Sequence, residues 1–317
     1  VLDGEFIRRS PGLHDRYPSF PGHRPQLNRT DIHRRIPLLY FFEQHSSAVQ
    51  EVRVSESTQW LDTGKPTSAR IYDYMLGGTQ NSADDRAVGD RLNAVAPFRR
   101  MALLNREFLV KAVRYLVTSG VTQFLDIGSG IPTAGSVHET ARALDPGCRV
   151  VYVDNDPTAV EHSLRLLDGT TGIGVVEADL RAPESILDHP GTRAVLDFEK
   201  PIGLLFLGVV QYLPDGNDPA GLINRYLTAL STGSHLALTH FTADNFETEM
   251  AAAVEFFAGT AAPMFPRDAT AVTALFGGLE LVDPGVVFTA RWRPEPGGVG
   301  ADDPDRSGHY AGIGRKP

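Results

Sequence analysis

The chain has a single cysteine, Cys148, among 317 residues, so no disulfide can form within it. That scarcity fits a reducing, cytoplasmic setting, and Cys148, beside the apolar run 150–153, is expected as a small core residue rather than a nucleophile. No apolar run approaches the roughly 20 residues that span a bilayer, and the N-terminus lacks the basic–apolar–small order of a secretory signal. A basic excess is missing too. The formal charge is −9, which argues against nucleic acid and leaves small molecules or peptides as partners. The histidines show no metal-ligand spacing with each other or with Cys148, so no metal site is expected. Nothing in the pattern specifies an oligomeric state. At 42% hydrophobic and 22% charged, the chain has enough apolar residues for one large α/β domain with an appendage, or two domains.

The first fifty or so residues hold Pro11, Pro18, Pro21, Pro25 and Pro37 and sustain no helical or strand period. Residues 1–57 are expected to be a poorly ordered extension, with Pro37–Gln50 as a candidate short helix and the natural start near Val54. Structured pattern then begins. Ser68–Leu76, Asp84–Ala94 and Arg99–Ser119 read as helices, the first ended by Gly77-Gly78 and the last by Gly120. From there the chain alternates. Strands are predicted at Gln123–Ile127, Val150–Asp154, Gly174–Glu177, Ile202–Val210 and His235–Thr239, with helices at Val137–Leu144, Pro157–Leu167, Pro183–Leu187 and Pro219–Leu230 between them. Apolar strands alternating with helices imply right-handed crossovers and a parallel sheet covered on both faces. Leu279–Val282 and Val286–Trp292, joined by Asp283-Pro284-Gly285, read as a closing antiparallel hairpin.

The chemistry concentrates at strand ends. Asp126-Ile127-Gly128-Ser129-Gly130 closes the first strand, and its glycines allow a sharp turn close to a ligand. Alone, the motif is equally a structural turn. An acid just before the first glycine is awkward beside a pyrophosphate but suits the methionine ammonium of S-adenosylmethionine (SAM). The second strand ends in Asp154, followed by Asn155, where a carboxylate can accept two ribose hydroxyls. The third runs into Asp179 and Leu180, placed to accept an adenine amino group and to pack on the ring. Each acid singly reads as a helix cap or solvated turn residue. Three of them on three successive strand ends, along the edge where open α/β sheets bind ligands, point to one nucleoside site. An NAD site would use Asp154, leave Asp126 and Asp179 without a task, and need a glycine where Thr133 stands.

The runs Arg70-Ile71-Tyr72-Asp73-Tyr74-Met75-Leu76-Gly77-Gly78, Asn105-Arg106, Phe124–Thr133, Val151–Pro157 and Tyr310–Pro317 resemble the actinobacterial SAM-dependent methyltransferase family once known as a domain of unknown function. The resemblance covers about Thr58 to Pro317. It implies a Rossmann-like class I methyltransferase fold: a mostly parallel seven-stranded sheet with a C-terminal antiparallel hairpin, residues 58–120 forming a helical lid and residues 121–317 the core. It implies SAM as cofactor and no particular acceptor. The chain departs from the family pattern at Gln80-Asn81-Ser82, and at Val209-Val210-Gln211-Tyr212, where relatives carry a histidine and an aromatic residue.

The cofactor set expected is Asp126, Gly128, Ser129, Gly130, Asp154, Asn155, Asp179, Leu180, Gly208, Asn105 and Arg106. Arg106 is placed to pair with the SAM carboxylate, or is an exposed arginine on an amphipathic helix. Tyr212, His240 and Tyr72 are the catalytic candidates, with Gln211, Tyr74 and Asn81 near them. Tyr72 and Tyr74 are equally suited to packing the lid, and His240 to a structural hydrogen-bonded role. His138 is expected to face solvent, and the stretch 246–257 to form a lid or core helix. The function expected is methyl transfer to a small molecule or peptide. A SAM-binding regulator and an NAD-dependent oxidoreductase are the alternatives.

Overall fold

The computed structural model describes residues 66–133, 135–258 and 262–317. The expected N-terminal extension, including the Pro37–Gln50 helix and the natural start near Val54, lies outside these residues. Three helices come first: α1 (Ser68–Met75), α2 (Ala83–Val95) and α3 (Phe98–Thr118). Thr67 caps α1 through its side chain, and Ser82 with Asp85 forms a reciprocal capping box on α2, so both starts are fixed by local chemistry. Along α3, Met101, Leu104, Phe108, Ala112, Val113 and Leu116 form the buried stripe that the 3.6-residue period dictates.

The alternating part follows as β1 (Gln123–Ile127), α4 (Val137–Arg142), β2 (Arg149–Asp154), α5 (Pro157–Leu166), β3 (Ile173–Glu177), α6 (Pro183–Leu187), α7 (Pro190–Val195), β4 (Gly203–Leu207), α8 (Pro219–Thr228) and β5 (His235–Phe241). Beyond it lie α9 (Glu247–Ala258), α10 (Ala269–Ala274), β6 (Glu280–Leu281), β7 (Val287–Phe288) and β8 (His309–Arg315). The eight-stranded sheet runs β3-β2-β1-β4-β5-β8-β6, with β7 also on β8. Strands β1 to β5 pair in parallel and β8 runs antiparallel to β5.

Alternate residues of each central strand feed two cores. Leu125, Val151, Leu204, Phe206 and Leu238 pack toward Ile186, Leu222, Tyr226 and Phe276. Phe124, Val150, Tyr152, Leu205 and Ala237 pack toward Phe108, Val113, Leu116 and Trp292. Each such fully buried side chain contributes about 1.5–3 kcal/mol. A third core of Met75, Leu92, Phe98, Met101, Phe241, Phe246, Met250 and Met264 joins the three leading helices to the end of β5 and to α9. Cys148 is buried beside β2, and burial pushes its thiol up to about 11, which fits the inert core role.

Four features differ from the sequence reading, the first being eight strands in place of seven, because the C-terminal part supplies three strands rather than two. The hairpin is absent as such: β6 and β7 do not pair with each other but each with β8, because β8 slots beside β5 and presents its free edge to both. The fourth strand stops at Leu207, since Gly208 adopts φ +73° and turns the chain into a 3-10 turn at Val210–Tyr212. Helix α7 interrupts the β3–β4 connection and has no counterpart in that reading.

Candidate cofactor and active site

The strand order reverses between β1 and β4, and at such a switch point the strand ends open a crevice. The glycine loop leaves β1 there. Gly128 and Gly130 take φ +68° and +60°, which a side chain would strain, and the N–H groups of Gly128 and Ser129 both donate to the Val153 carbonyl at 2.8 and 3.0 Å. A Cβ on Gly128 would also fall 2.3 Å from Val209 Cγ2. The loop is thus pinned over the end of β2. Asp154 completes the clamp: Oδ2 accepts from Gly130 N at 2.7 Å and Oδ1 from Asp156 N at 3.0 Å. Burial raises its carboxyl above the usual value against the pull of these backbone donors. Each oxygen keeps a lone pair for a further donor. Asn155 beside it is exposed.

Asp126 faces the other way, toward α3. It is 5% exposed, and no hydrogen bond from the described residues reaches its carboxylate. Burial pushes that carboxyl up to about 7; Arg106 opposes the shift and Asp154 adds to it. Arg106 is the cation across from it, also 5% exposed, so the exposed-arginine alternative does not hold. One of its terminal nitrogens donates to Gly135 O at 3.3 Å, its guanidinium lies 5.8 Å from the Tyr72 ring centre, and its Nε has no partner. A buried carboxylate and a buried guanidinium with unused hydrogen-bonding capacity, side by side, match the ammonium and carboxylate of an α-amino acid.

The remaining expected residues divide. Asp179 follows β3 but is held by Arg181, whose backbone N–H donates to Oδ1 at 2.9 Å and whose side chain chelates both oxygens. The hydrogen bonds from Arg181 hold its carboxyl below the usual range. Leu180 is half-buried, and its carbonyl accepts from Tyr226 Oη at 2.7 Å. Gly208 lies under Asn105, whose Nδ2 would stand 3.3 Å from a Cβ there. Asn105 donates to Tyr72 Oη at 3.0 Å and accepts from Thr239 Oγ1 at 2.6 Å, tying helix α1, helix α3 and β5 into one network. Gln211, 1% exposed, donates to the Gly208 carbonyl and leaves Oε1 without a partner. Burial pushes the half-buried Tyr212 hydroxyl up to about 12.

Four expectations are corrected. His240 is fully buried: its Nδ1–H donates to the Phe241 carbonyl at 2.8 Å and its Nε2 accepts from Arg267 at 2.7 Å. Both ring nitrogens are used, and burial pulls the imidazole down to about 4, so it is a structural neutral histidine. Tyr74 turns outward, bonding Asp90 Oδ1 at 2.6 Å with Arg99 over its ring. His138 does not face solvent; its Nδ1 pairs with the buried Tyr152 hydroxyl at 2.7 Å and with Ser136 Oγ at 3.0 Å. Asn81 is buried with Nδ2 on Asp73 Oδ2 at 2.8 Å, which makes it a support of the lid turn.

A groove of about 580 Å³ at the α2–α3 corner, facing Glu249 of α9, shares no residue with this set. No group of three or more histidine, cysteine or acidic side chains suited to a metal occurs among the described residues, and no described helix is long and apolar enough to cross a membrane.

Comparison with known proteins bears on the family and the fold. A sequence profile of the S-adenosyl methyltransferase family matches residues 54–317. The chain is similar to a crystal structure from Thermobifida fusca YX, provisionally named a methyltransferase, with 37% identity over 82% of this chain and 98% of the other at TM-score 0.75. It is equally similar to a DUF574 family protein from Streptomyces avermitilis MA-4680, at 37% identity, 81% and 100% coverage and TM-score 0.77. The carboxy-S-adenosyl-L-methionine synthase of Klebsiella pneumoniae (strain 342) is 26% identical over 121 residues, 37% of this chain and 43% of that protein. The match therefore spans less than half the length of that curated relative. With the profile covering most of the chain, the assignment is direct: this protein belongs to the S-adenosyl methyltransferase family.

Proposed function

We propose that the crevice over β1, β2 and β4 binds SAM and that the protein transfers its methyl group to a small-molecule or peptide acceptor in the cytoplasm. The observation that carries this reading is that Asp126 and Arg106, both buried, act on each other through their charges beside the Asp154 clamp. SAM, when bound, supplies the methyl group and leaves as S-adenosylhomocysteine (SAH). Asp154, with Asn155 beside it, holds the ribose; Asp126 and Arg106 hold the methionine end; Gly128, Ser129 and Gly130 give the ligand close access to backbone; Leu180 packs on the adenine. For Asp179 to take the adenine amino group, its chelate with Arg181 must open or share.

The acceptor lies against Tyr72, Gln211 and Tyr212, next to the cofactor residues Gly208 and Asn105. These groups are neutral. His240 is turned away and Tyr212 stays protonated near pH 7, so neither serves as a base. The acceptor atom therefore brings its own lone pair, as a neutral amine, thiolate or carboxylate does, and the residues around it work by alignment. The charge of −9 favours such acceptors over nucleic acid.

Calorimetric titration tests the cofactor half. SAM and SAH are expected to bind and NAD is not; NAD binding without SAM binding ends this reading. Asp154→Ala is expected to weaken SAM binding at least tenfold through the lost ribose hydrogen bonds, about 1.5–3 kcal/mol for bonds to a charged group. Unchanged affinity refutes the ribose role. A second reading, a SAM-binding regulator, draws on the absence of a histidine in 208–214 and the locked state of His240. Steady SAH production with a native extract as acceptor source rejects it.

A further inference from the structure

Helix α1 carries a charged group that its sequence does not set apart from a solvated helix acid. Asp73 is 2% exposed. Its Oδ2 accepts from Gln80 N at 2.7 Å and Asn81 Nδ2 at 2.8 Å, while Oδ1 has no hydrogen-bond partner. The Gly77-Gly78 turn wraps this carboxylate so closely that a Cβ on Gly78 would stand 2.0 Å from Oδ1. The turn of the Tyr72–Gly78 run is therefore shaped around one buried acid.

Its surroundings are those of the glycine loop. Ala69, one turn earlier on α1, lies 3.8 Å from where a Gly130 Cβ would be. Thr133 at the end of the loop and Arg106 both act on the Asp73 carboxyl, lowering a value that burial raises. Arg106 acts in the same way on Asp126. One buried guanidinium thus answers two buried carboxylates, Asp73 from the lid and Asp126 from β1. The three groups, all ionised, carry one negative charge in excess. Arg106 Nε and Asp73 Oδ1 are buried without partners, and a buried polar atom left unpaired is unfavourable. An α-amino acid end supplies both missing charges: an ammonium for the carboxylates and a carboxylate for the guanidinium.

We propose that Asp73 is a positioning residue for the amino-acid end of SAM, acting through Arg106 opposite Asp126 so that lid and strand read that end together. This rests on the SAM reading of the crevice. The lid then responds to the methionine moiety and not to the nucleoside.

The test is calorimetric titration of the full chain and its Asp73→Asn variant with SAH and with 5′-methylthioadenosine, which lacks the amino-acid end. Asp73→Asn is expected to weaken SAH at least tenfold and methylthioadenosine less than twofold. Equal weakening of both ligands, or none, overturns the proposal and leaves Asp73 a structural support of the lid turn. Should Asp73→Asn fail to fold, Asp73→Ser, which leaves room for water beside Gly78, carries the same expectation. Failure of the wild type to bind either ligand is a different result, and refutes the SAM reading itself.

Discussion

Asp126→Asn is expected to raise the melting temperature of the ligand-free protein at pH 8.5 by about 3 °C while weakening SAM ten- to hundredfold. The carboxyl is 5% exposed and burial pushes it up to about 7. A folded-state value above the unfolded one means that the folded protein holds the proton more tightly. The stability so contributed is present below the unfolded value near 4 and lost as pH rises through 7. A shift of about three units corresponds to at most about 4 kcal/mol lost by pH 8.5. The opposing pull of Arg106 is already contained in that value, and the isosteric amide escapes the loss, with a net gain of about 1–2 kcal/mol expected within that upper bound. The charged groups acting on it are Arg106 on α3 and Asp154 on β2, with the Tyr152 phenol beside them. Asp73 and Asp154 are also shifted upward, so the wild type loses stability from several sources and the variant isolates one. His240 and His309 are pulled down to about 4 and about 3, and titrate below this window. Melting curves at pH 6.5 and 8.5 give the answer: the gap between variant and wild type widens with pH. A gap independent of pH contradicts the buried-carboxylate account.

Asp85→Ala is expected to destabilise the chain by about 3–5 kcal/mol, the usual effect of removing one partner from a buried ion pair. Asp85 is fully buried, and its Oδ2 accepts from Arg70 Nε, Ser82 N and Ser82 Oγ, each at 2.7 Å, while Oδ1 accepts from Thr67 N at 3.1 Å. Burial is the largest single influence and pushes its carboxyl up, yet the donors from Ser82, Arg70 and Thr67 together outweigh it and hold the group below its usual value. One carboxylate thus fastens the starts of α1 and α2 to each other. Its loss leaves the Arg70 charge buried at 1% exposure with that anion gone. Hydrogen exchange is expected to rise over 68–95 and to stay unchanged in β1 to β4, with SAH affinity falling as the lid loosens. An unchanged melting temperature, or faster exchange throughout the sheet, removes the lid from the account.

The sheet edge was legible because its signals are local. β1, β2 and β3 are short apolar runs with an acid at or just beyond their C-terminal ends, and Asp156 with Pro157 marks a helix start by cap chemistry alone. The end of the sheet was not, since β6 and β7 are two residues each and exist only by pairing with β8. β8 itself carries Gly312 and Gly314, poor strand formers, because Phe276 and Leu279 occupy the space a Cβ would need. The same distinction divides the site. Asp126 and Asp154 stand at the C-terminal ends of apolar strands and announce themselves. Asp73 sits in a helix, where nothing separates a buried acid from a solvated one, and His240 is fixed by Arg267, 27 residues away.

A crystal structure with SAH bound tests the central claim most directly. The ribose hydroxyls are expected within hydrogen-bonding distance of the Asp154 carboxylate, with the amino-acid end between Asp126 and Arg106 under the lid. SAH bound with its ribose away from Asp154, or with its amino-acid end pointing out of the crevice, contradicts the account.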